Sequence, residues 1–256
     1  MKRLLFFDVD GTLYNSDKKL PNSAKVAIFK AREKGHEIAI ATGRAPFMIK
    51  EVLEELEIDT YVTFNGQYVV YKGEVIYTDQ IANETLSAIL KFGSQRNHPF
   101  VFLNEKEMIA SAGDYESIER SLATLYFPYP QVDANYYLTT PVYQTLIFIN
   151  EQEQPIYEQQ FPEVQFVRWH PQSCDMLPKG GSKANGIKKL LEYTGYSDEQ
   201  IVTFGDGLND IEMLSEFPQS VAMGNGHKKA KEAASMITAH VDEDGLALAM
   251  EKLKLV

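Results

Sequence analysis

The fold is decided by the stretch Leu4-Leu5-Phe6-Phe7-Asp8-Val9-Asp10-Gly11-Thr12. Its first four residues are apolar, and a short continuous apolar run is typical of a strand buried on both faces of a parallel sheet. Two carboxylates and a glycine follow at once, so the run ends in a polar turn. Residues two apart on an extended chain project to the same face, which predicts that Asp8 and Asp10 lie roughly 6 to 7 Å apart at the carboxyl end of the strand. Open α/β sheets bind their ligands outside that end.

Two other interpretations of this stretch are a turn that only closes a strand and the start of a calcium loop. An EF-hand loop has glycine at its sixth position and glutamate at its twelfth. Counted from Asp8, these positions hold Leu13 and Lys19, which excludes the calcium loop. A polar turn without chemistry stays open on this stretch alone.

Composition and charge exclude several classes of protein. The chain has 256 residues, is 44% hydrophobic and 24% charged, and can bury a sizeable core in two domains. Its net charge of -11 disfavours binding to nucleic acid or to an anionic membrane. The single Cys174 allows no disulfide within the chain, and no apolar run reaches a signal sequence or a membrane span. We expect a cytoplasmic protein, with no nucleic-acid or membrane partner and an oligomeric state that the sequence does not fix.

Strand and helix patterns alternate at both ends of the chain, which predicts an α/β, doubly wound, Rossmann-like parallel sheet. Between them, short strands and a few helices indicate an inserted α+β domain with an open antiparallel sheet. The predicted domains are 1–82 for the first part of the core, 83–179 for the insertion and 180–256 for the rest of the core. After the second strand, a turn at Thr42-Gly43-Arg44 precedes Pro46, and its free backbone N–H groups predict an anion-binding site at the start of a helix.

Four carboxylates follow predicted strand ends of one sheet: Asp8, Asp10, Asp206 and Asp210. If they converge, they raise one another's pKa and need a compensating cation. A few carboxylates with a substrate phosphate suit Mg²⁺. Lys183, at the start of a predicted helix, adds a positive charge that either joins these carboxylates or stays solvated, as most lysines do. Neither a P-loop nor a dinucleotide fingerprint fits the glycines around these residues.

Four motifs together resemble the haloacid dehalogenase superfamily, in its order and at the expected ends of the elements. They are Asp8-Val9-Asp10-Gly11-Thr12, Thr42-Gly43-Arg44, Lys183 and Gly205-Asp206-Gly207-Leu208-Asn209-Asp210. Asn65-Gly66, the insertion between the second and third motifs, and Met223-Gly224-Asn225 resemble its Cof-type branch, which carries a type IIB cap. The resemblance spans nearly the whole chain.

The resemblance implies a role for each motif position. Asp8 would be the nucleophile that forms an aspartyl phosphate, and Asp10 the general acid and base, with a pKa perturbed by the charge cluster. Mg²⁺ would be held by Asp8, the backbone carbonyl of Asp10 and Asp206, with Asp210 at the metal site ordering the waters of the ion. Phosphate and substrate would contact Val9, Thr42, Gly43, Arg44, Asn65, Lys183 and Asn209. The inserted domain would be the cap that selects the substrate.

The predicted function is hydrolysis of a small phosphorylated metabolite, such as a sugar phosphate or a phosphorylated cofactor. One alternative is a phosphomutase, which uses the same intermediate but returns the phosphoryl group to its substrate. Another is a sensor that binds a phosphometabolite without turnover. The intact pair of Asp8 and Asp10 favours an enzyme, since binding alone does not need a nucleophile.

Overall fold

The computed structural model describes residues 2–256, which form two compact units. The core unit comprises residues 2–44, Met48–Tyr77 and Ser182–Val256. The inserted unit comprises Ala45–Phe47 and Thr78–Gly181. The chain therefore leaves the core unit twice, for three residues at Ala45–Phe47 and then for the long segment Thr78–Gly181.

Strands and helices alternate along the core unit. Its first part contains β1 (Leu4–Phe7), α1 (Asn22–Glu33), β2 (Glu37–Ala41), α2 (Lys50–Glu55), β3 (Tyr61–Thr63), β4 (Tyr68–Tyr71) and β5 (Glu74–Thr78). The inserted unit contains α3 (Asn83–Ser94), β6 (Phe100–Leu103), β7 (Met108–Ala110), α4 (Glu116–Ala123), β8 (Gln131–Val132), β9 (Gln144–Ile147), α5 (Gln154–Gln160), β10 (Val164–His170) and β11 (Ser173–Pro178). The core unit resumes with α6 (Lys183–Thr194), β12 (Ile201–Gly205), α7 (Ile211–Glu216), β13 (Gln219–Ala222), α8 (Lys228–Ala233), β14 (Met236–Ile237) and α9 (Gly245–Lys252).

The core sheet has eight strands in the order β14-β13-β12-β1-β2-β3-β4-β5. The strands from β14 to β3 run parallel, and β4 pairs antiparallel with β3. The central strand β1 lies between β12 and β2, with Leu4 opposite both Ile201 and Glu37. Its carboxyl end is therefore the point where the strand order changes direction, which is where such sheets bind ligands.

Apolar side chains cover both faces of this sheet. Alternate residues of β1 project to opposite sides, so Leu5 and Phe7 belong to one buried cluster while Leu4 and Phe6 belong to another. Helices α1, α2 and α9 supply the first cluster, and α6, α7 and α8 supply the second. The prediction of a doubly wound, Rossmann-like parallel sheet is confirmed.

The inserted unit has a six-stranded sheet in the order β10-β11-β9-β6-β7-β8. Its neighbouring strands are antiparallel except for β7 and β8. One buried cluster joins residues of α3 and α5 to this sheet, including Leu86, Tyr157, Phe102 and Met176. The predicted α+β insertion is therefore present.

Two local predictions needed correction. The sequence after Pro46 predicts a helix to about Leu56, but this segment begins as a 3₁₀ turn over Pro46–Ile49 before α2. The sequence also predicts a helix from His227 to Ser235, but α8 ends at Ala233, because Ser235 exchanges hydrogen bonds with Ser220 instead of continuing the helix. In residues 2–256, no helix is long and apolar enough to cross a membrane.

Candidate active site

Asp8 directly follows the last residue of the central strand. Its backbone N–H still donates to the carbonyl of Phe204 in β12, at 2.9 Å, so the ladder holds Asp8 in place. The chain then turns back, and the N–H of Leu13 donates to the carbonyl of Asp8 at 3.2 Å. Gly11 has φ +77°, and a Cβ there would collide with the carboxylate of Asp206. Glycine at this position therefore allows the turn after β1 to pack closely against the loop after β12.

Lys183 is the first residue of α6, and its side chain is fully buried. The α6 helix begins there because the side chain of Ser182 accepts a hydrogen bond from the N–H of Asn185. The ammonium donates to Oδ1 of Asp8 at 2.5 Å and to Oδ1 of Asp210 at 2.6 Å. Burial would lower the pKa of Lys183, but these two carboxylates outweigh it and raise the pKa above its ordinary value. The lysine is thus a charged part of the site and not a solvated side chain.

Asp210 is fixed by the loop that precedes it. Its Oδ2 accepts hydrogen bonds from the backbone N–H groups of Asp206 and Gly207, at 2.9 and 2.7 Å. It lies in a 3₁₀ turn (Leu208–Asp210) directly before α7. Its carboxylate is completely buried, and its other oxygen, Oδ1, accepts from the ammonium of Lys183.

Asp8, Asp206 and Asp210 form one group, in which an oxygen of each carboxylate lies within 4.8 Å of the others. Burial and the neighbouring carboxylates raise the pKa of Asp8 well above its ordinary range despite Lys183. Burial first, and then the charge of Asp210, raise the pKa of Asp206 to about 7. Three carboxylates thus face one ammonium, and this excess of negative charge on hard oxygen donors fits a divalent cation such as Mg²⁺.

The carboxylate of Asp10 lies outside this group of three. Arg44 donates to it twice, from Nε to Oδ2 at 2.6 Å and from Nη2 to Oδ1 at 2.8 Å. Lys18 donates from Nζ to Oδ1 at 2.7 Å. Burial would raise the pKa of Asp10, but Arg44 and Lys18 outweigh it and hold the pKa below its ordinary value. The resemblance implied that a charge cluster perturbs the pKa of Asp10. The pKa is perturbed, but it is lowered, and the cause is the two cations Arg44 and Lys18.

The turn after β2 meets the turn after β3. The N–H of Asn65 donates to the carbonyl of Thr42, and the N–H of Arg44 donates to the hydroxyl of Thr42, both at 3.1 Å. The second bond corrects the expectation that the N–H of Arg44 is free for an anion. A Cβ at Gly43 would lie 2.9 Å from the amide of Asn65, so the close packing of the two turns depends on glycine.

Asn65 also connects this region to the last motif. Its backbone is left-handed, with φ 51° and ψ 40°, and its side chain is buried. Its Oδ1 accepts a hydrogen bond from Nδ2 of Asn209 at 3.1 Å. The structure therefore brings Thr42, Gly43, Asn65 and Asn209 into one connected set of turns. Val9 is buried in the turn after β1, and its carbonyl accepts from the N–H of Tyr14.

The structure adds two residues to which the sequence assigned no role. Lys18 contacts Asp10, although nothing in the sequence distinguishes it from its neighbour Lys19. Asn225 donates from Nδ2 to the carbonyl of Gly11 at 2.8 Å and to Oδ2 of Asp206 at 3.4 Å. A signal existed for Asn225, because it is an amide shortly after a predicted strand of the same sheet.

Comparisons with known proteins agree over the length of the chain. A family model for haloacid dehalogenase-like hydrolases matches residues 5–250. The protein named "Putative phosphatase YkrA" of Bacillus subtilis (strain 168) is 40% identical over 254 residues, which cover 99% of this chain and 98% of that protein. A crystal structure of a hypothetical protein from Geobacillus kaustophilus HTA426 has a TM-score of 0.95 at 43% identity, covering 100% of both chains. The structure of the subclass IIB sugar phosphatase BT4131 has a TM-score of 0.88 at 32% identity, again covering 100% of both chains.

Proposed function

The chain belongs to the haloacid dehalogenase-like hydrolases and is a phosphatase of that family, and we propose that it hydrolyses a small phosphorylated metabolite with Mg²⁺ and an aspartyl-phosphate intermediate. The observation that carries this proposal is the buried ammonium of Lys183 between Asp8 and Asp210, beside Asp206. A sugar phosphate is the favoured substrate class, since a relative of known structure at 32% identity is described as a sugar phosphatase. Phosphorylated cofactors are the second class to test.

The first chemical step uses Asp8 and Asp10. An oxygen of the Asp8 carboxylate forms a bond to phosphorus while the bond from phosphorus to the leaving oxygen breaks. Asp10 passes a proton to that oxygen, so that an alcohol leaves. Because Arg44 and Lys18 hold the pKa of Asp10 low, Asp10 must first take up this proton as the substrate binds. In the second step, Asp10 takes a proton from water, the water oxygen bonds to phosphorus, and the bond between Asp8 and phosphorus breaks. The net reaction consumes one water and yields alcohol and phosphate.

The remaining residues position the substrate and neutralise the charge of its phosphoryl group. Asp8, Asp206, Asp210 and the backbone carbonyl of Asp10 would hold Mg²⁺, which supplies positive charge to the phosphoryl oxygens when bound. Lys183 keeps Asp8 oriented and contributes a second positive charge. We assign contacts with phosphate and substrate to the backbone N–H of Val9 and to Thr42, Gly43, Arg44, Asn65, Lys183 and Asn209. Residues 83–179 are proposed as the cap domain that selects the leaving group.

Phosphate release tests this proposal. Phosphorylated sugars, nucleotides and cofactors are offered with Mg²⁺ and with excess EDTA, to the wild type, to Asp8→Asn and to Asp59→Asn. Asp59 is an exposed acid in the loop before β3 and serves as the matched control. We expect release that needs Mg²⁺, is lost at least about 1,000-fold in Asp8→Asn, and is retained in Asp59→Asn. Acid-quenched wild type should carry hydroxylamine-labile phosphate, and Asp8→Asn should not.

Each part of the proposal has its own contrary result. Turnover by Asp8→Asn near the wild-type rate would overturn the assignment of the nucleophile. An undiminished rate in EDTA would exclude the metal. Accumulation of an isomerised sugar phosphate without free phosphate would identify a mutase. Binding of a phosphometabolite without any turnover would identify a sensor.

A further inference from the structure

The side chain of Asn225 joins three segments of the core unit. Its Nδ2 donates to the carbonyl of Gly11 at 2.8 Å and to Oδ2 of Asp206 at 3.4 Å. Its Oδ1 accepts from the backbone N–H of Val241 at 2.9 Å. Because an amide has two hydrogens to donate and an oxygen that accepts, this one side chain links the turn after β1, the loop after β12 and the segment before α9.

Asp206 is the least enclosed of the three grouped carboxylates. It is half-buried, whereas the other two are buried and accept from the ammonium of Lys183. The hydroxyl of Thr12 donates to its Oδ1 at 3.4 Å, and the amide of Asn225 donates to its Oδ2. Both contacts are long, so the orientation of Asp206 depends on where the surrounding segments hold these donors. Both donors are also neutral, and a neutral donor orients a carboxylate without adding positive charge that would repel a divalent cation.

The segment that carries Asn225 also contacts the backbone of Asp206. The N–H of His227 donates to the carbonyl of Asp206 at 2.8 Å. A Cβ at Gly226 would lie 3.1 Å from the Cα of Asp206, so the two backbones pack closely. The amide of Asn225 therefore extends from a backbone that is fixed relative to Asp206.

Closure of the turn after β1 does not explain the bond from Asn225 to Gly11. That turn is closed by its own backbone bonds, including the one from the N–H of Gly11 to the carbonyl of Tyr14 at 3.0 Å. The amide of Asn225 instead fixes the position of this turn relative to Asp206. The carbonyl of Asp10, a proposed ligand of the metal, directly precedes Gly11. The amide thus connects two parts of the proposed metal site.

We propose that Asn225 is a positioning residue for the metal site, which holds the carboxylate of Asp206 and the turn that carries Asp10 in the relative position that binds Mg²⁺. This role rests on the proposed function, in which Mg²⁺ supplies positive charge to the phosphoryl oxygens. Groups that hold metal ligands in place contribute about 10- to 100-fold to the affinity for the metal. Asn225 acts on the metal through its ligands and makes no contact with the substrate in this role.

The free energy of unfolding in urea, measured at rising concentrations of Mg²⁺, separates this role from a structural one. The value in excess EDTA reports the stability of the metal-free protein, and the gain with Mg²⁺ gives the dissociation constant of the metal. We compare the wild type with Asn225→Ala and with Asn225→Gln, which carries the same amide one methylene further from the backbone. Asn15→Ala is the control, because the half-buried amide of Asn15 accepts from the N–H groups of Asp17 and Lys19 within its own turn.

Asn225→Ala should raise the dissociation constant for Mg²⁺ about 10- to 100-fold. Asn225→Gln should raise it as well, because the displaced amide cannot keep all three contacts, and this variant decides the question if Asn225→Ala is not folded in EDTA. Asn15→Ala should lower the stability in EDTA but leave the dissociation constant within about 2-fold of the wild type. In phosphate release, the Mg²⁺ concentration for half-maximal rate should rise in the Asn225 variants, while the rate at saturating Mg²⁺ stays within about 3-fold of the wild type.

Asn225 variants that lose stability in EDTA but bind Mg²⁺ at least as tightly as the wild type would show a purely structural residue and overturn this role, while the phosphatase assignment stays intact. Equal weakening of Mg²⁺ binding in Asn15→Ala and Asn225→Ala would overturn it too. A wild type whose stability does not respond to Mg²⁺ would instead contradict the metal in the proposed function, and this role with it.

Discussion

The Nζ atom of Lys183 lies 2.5 Å from Oδ1 of Asp8, although 175 residues separate the two in the chain. Both groups are buried, and Nζ also lies 2.6 Å from Oδ1 of Asp210. The lysine thus compensates two carboxylates that the fold removes from water. We expect such a group to contribute both to stability and to chemistry. Unfolding of the metal-free protein and phosphate release measure the two effects separately.

Replacing Lys183 by methionine should destabilise the metal-free protein by about 3 kcal/mol, because it leaves two buried carboxylates without their ammonium. Unfolding in urea with excess EDTA measures this free energy. The control is Lys188→Met on the same helix, whose ion pair with Glu216 is exposed and should be worth less than about 1 kcal/mol. Equal effects of the two substitutions would show that the buried contacts do not stabilise the fold.

Stability of the metal-free protein should depend on pH through Asp206. Its pKa is about 7 in the folded chain against an ordinary value of 3.8, so the folded state retains a proton that the unfolded state releases. This contribution is therefore fully present below about pH 4 and is lost as the pH rises to 7, at up to about 1.4 kcal/mol per unit.

The variant Asp206→Asn isolates this group, because other titrations, such as that of His36, continue in both proteins. Urea unfolding in EDTA at pH 5 and pH 7 should show a larger loss of stability in the wild type than in the variant. A wild type that lost no more stability than the variant between pH 5 and pH 7 would contradict the raised pKa of Asp206.

Gly186 should not tolerate alanine, although alanine favours helices. A Cβ at this position would collide with Val62 and with the backbone of Gly66, where α6 packs against the turn after β3. We expect a loss of about 2 kcal/mol in the free energy of unfolding, and reduced turnover because Lys183 lies on the same helix. Gly113→Ala is the control, since its Cβ would meet only Val132 at 3.8 Å. An unchanged unfolding midpoint for Gly186→Ala would show that α6 can move away from the turn.

Cys174 should be inert in the folded protein. It is fully buried in the inserted unit, and burial raises the pKa of its thiol to about 12. Without thiolate or access, a disulfide reagent such as DTNB should modify it only after unfolding in urea. Rapid reaction in native buffer would mean that the sheet around Cys174 opens readily.

Periodic segments could be predicted from the sequence because local pattern and tertiary packing agree there. The apolar run of β1 and the left-handed Gly195 that ends α6 are examples. The strands β8 and β14 could not be predicted, because each has only two residues and exists through pairing with a distant strand.

The carboxylates Asp8, Asp206 and Asp210 were placed together from the sequence because each follows a strand of one parallel sheet. The position of the Asp10 side chain could not be predicted in the same way. Strand alternation stops at Phe7, and after the turn at Gly11 the side chain contacts Arg44. Lys18 escaped prediction because only the folded turn distinguishes it from Lys19.

The pairing of Leu4 with Ile201 also sets the earliest point in synthesis at which the central strand can gain its second neighbour. The central strand lacks one neighbour until Ile201 has left the ribosome, while all strands of the inserted sheet have already been made. Until then the Leu4–Phe7 segment keeps an unpaired edge, and such edges are where incomplete chains aggregate. Asp206 and Asp210 are translated later still. A nascent or terminated chain that stops before Asp206 therefore has the proposed nucleophile but neither partner carboxylate, so it cannot assemble the site.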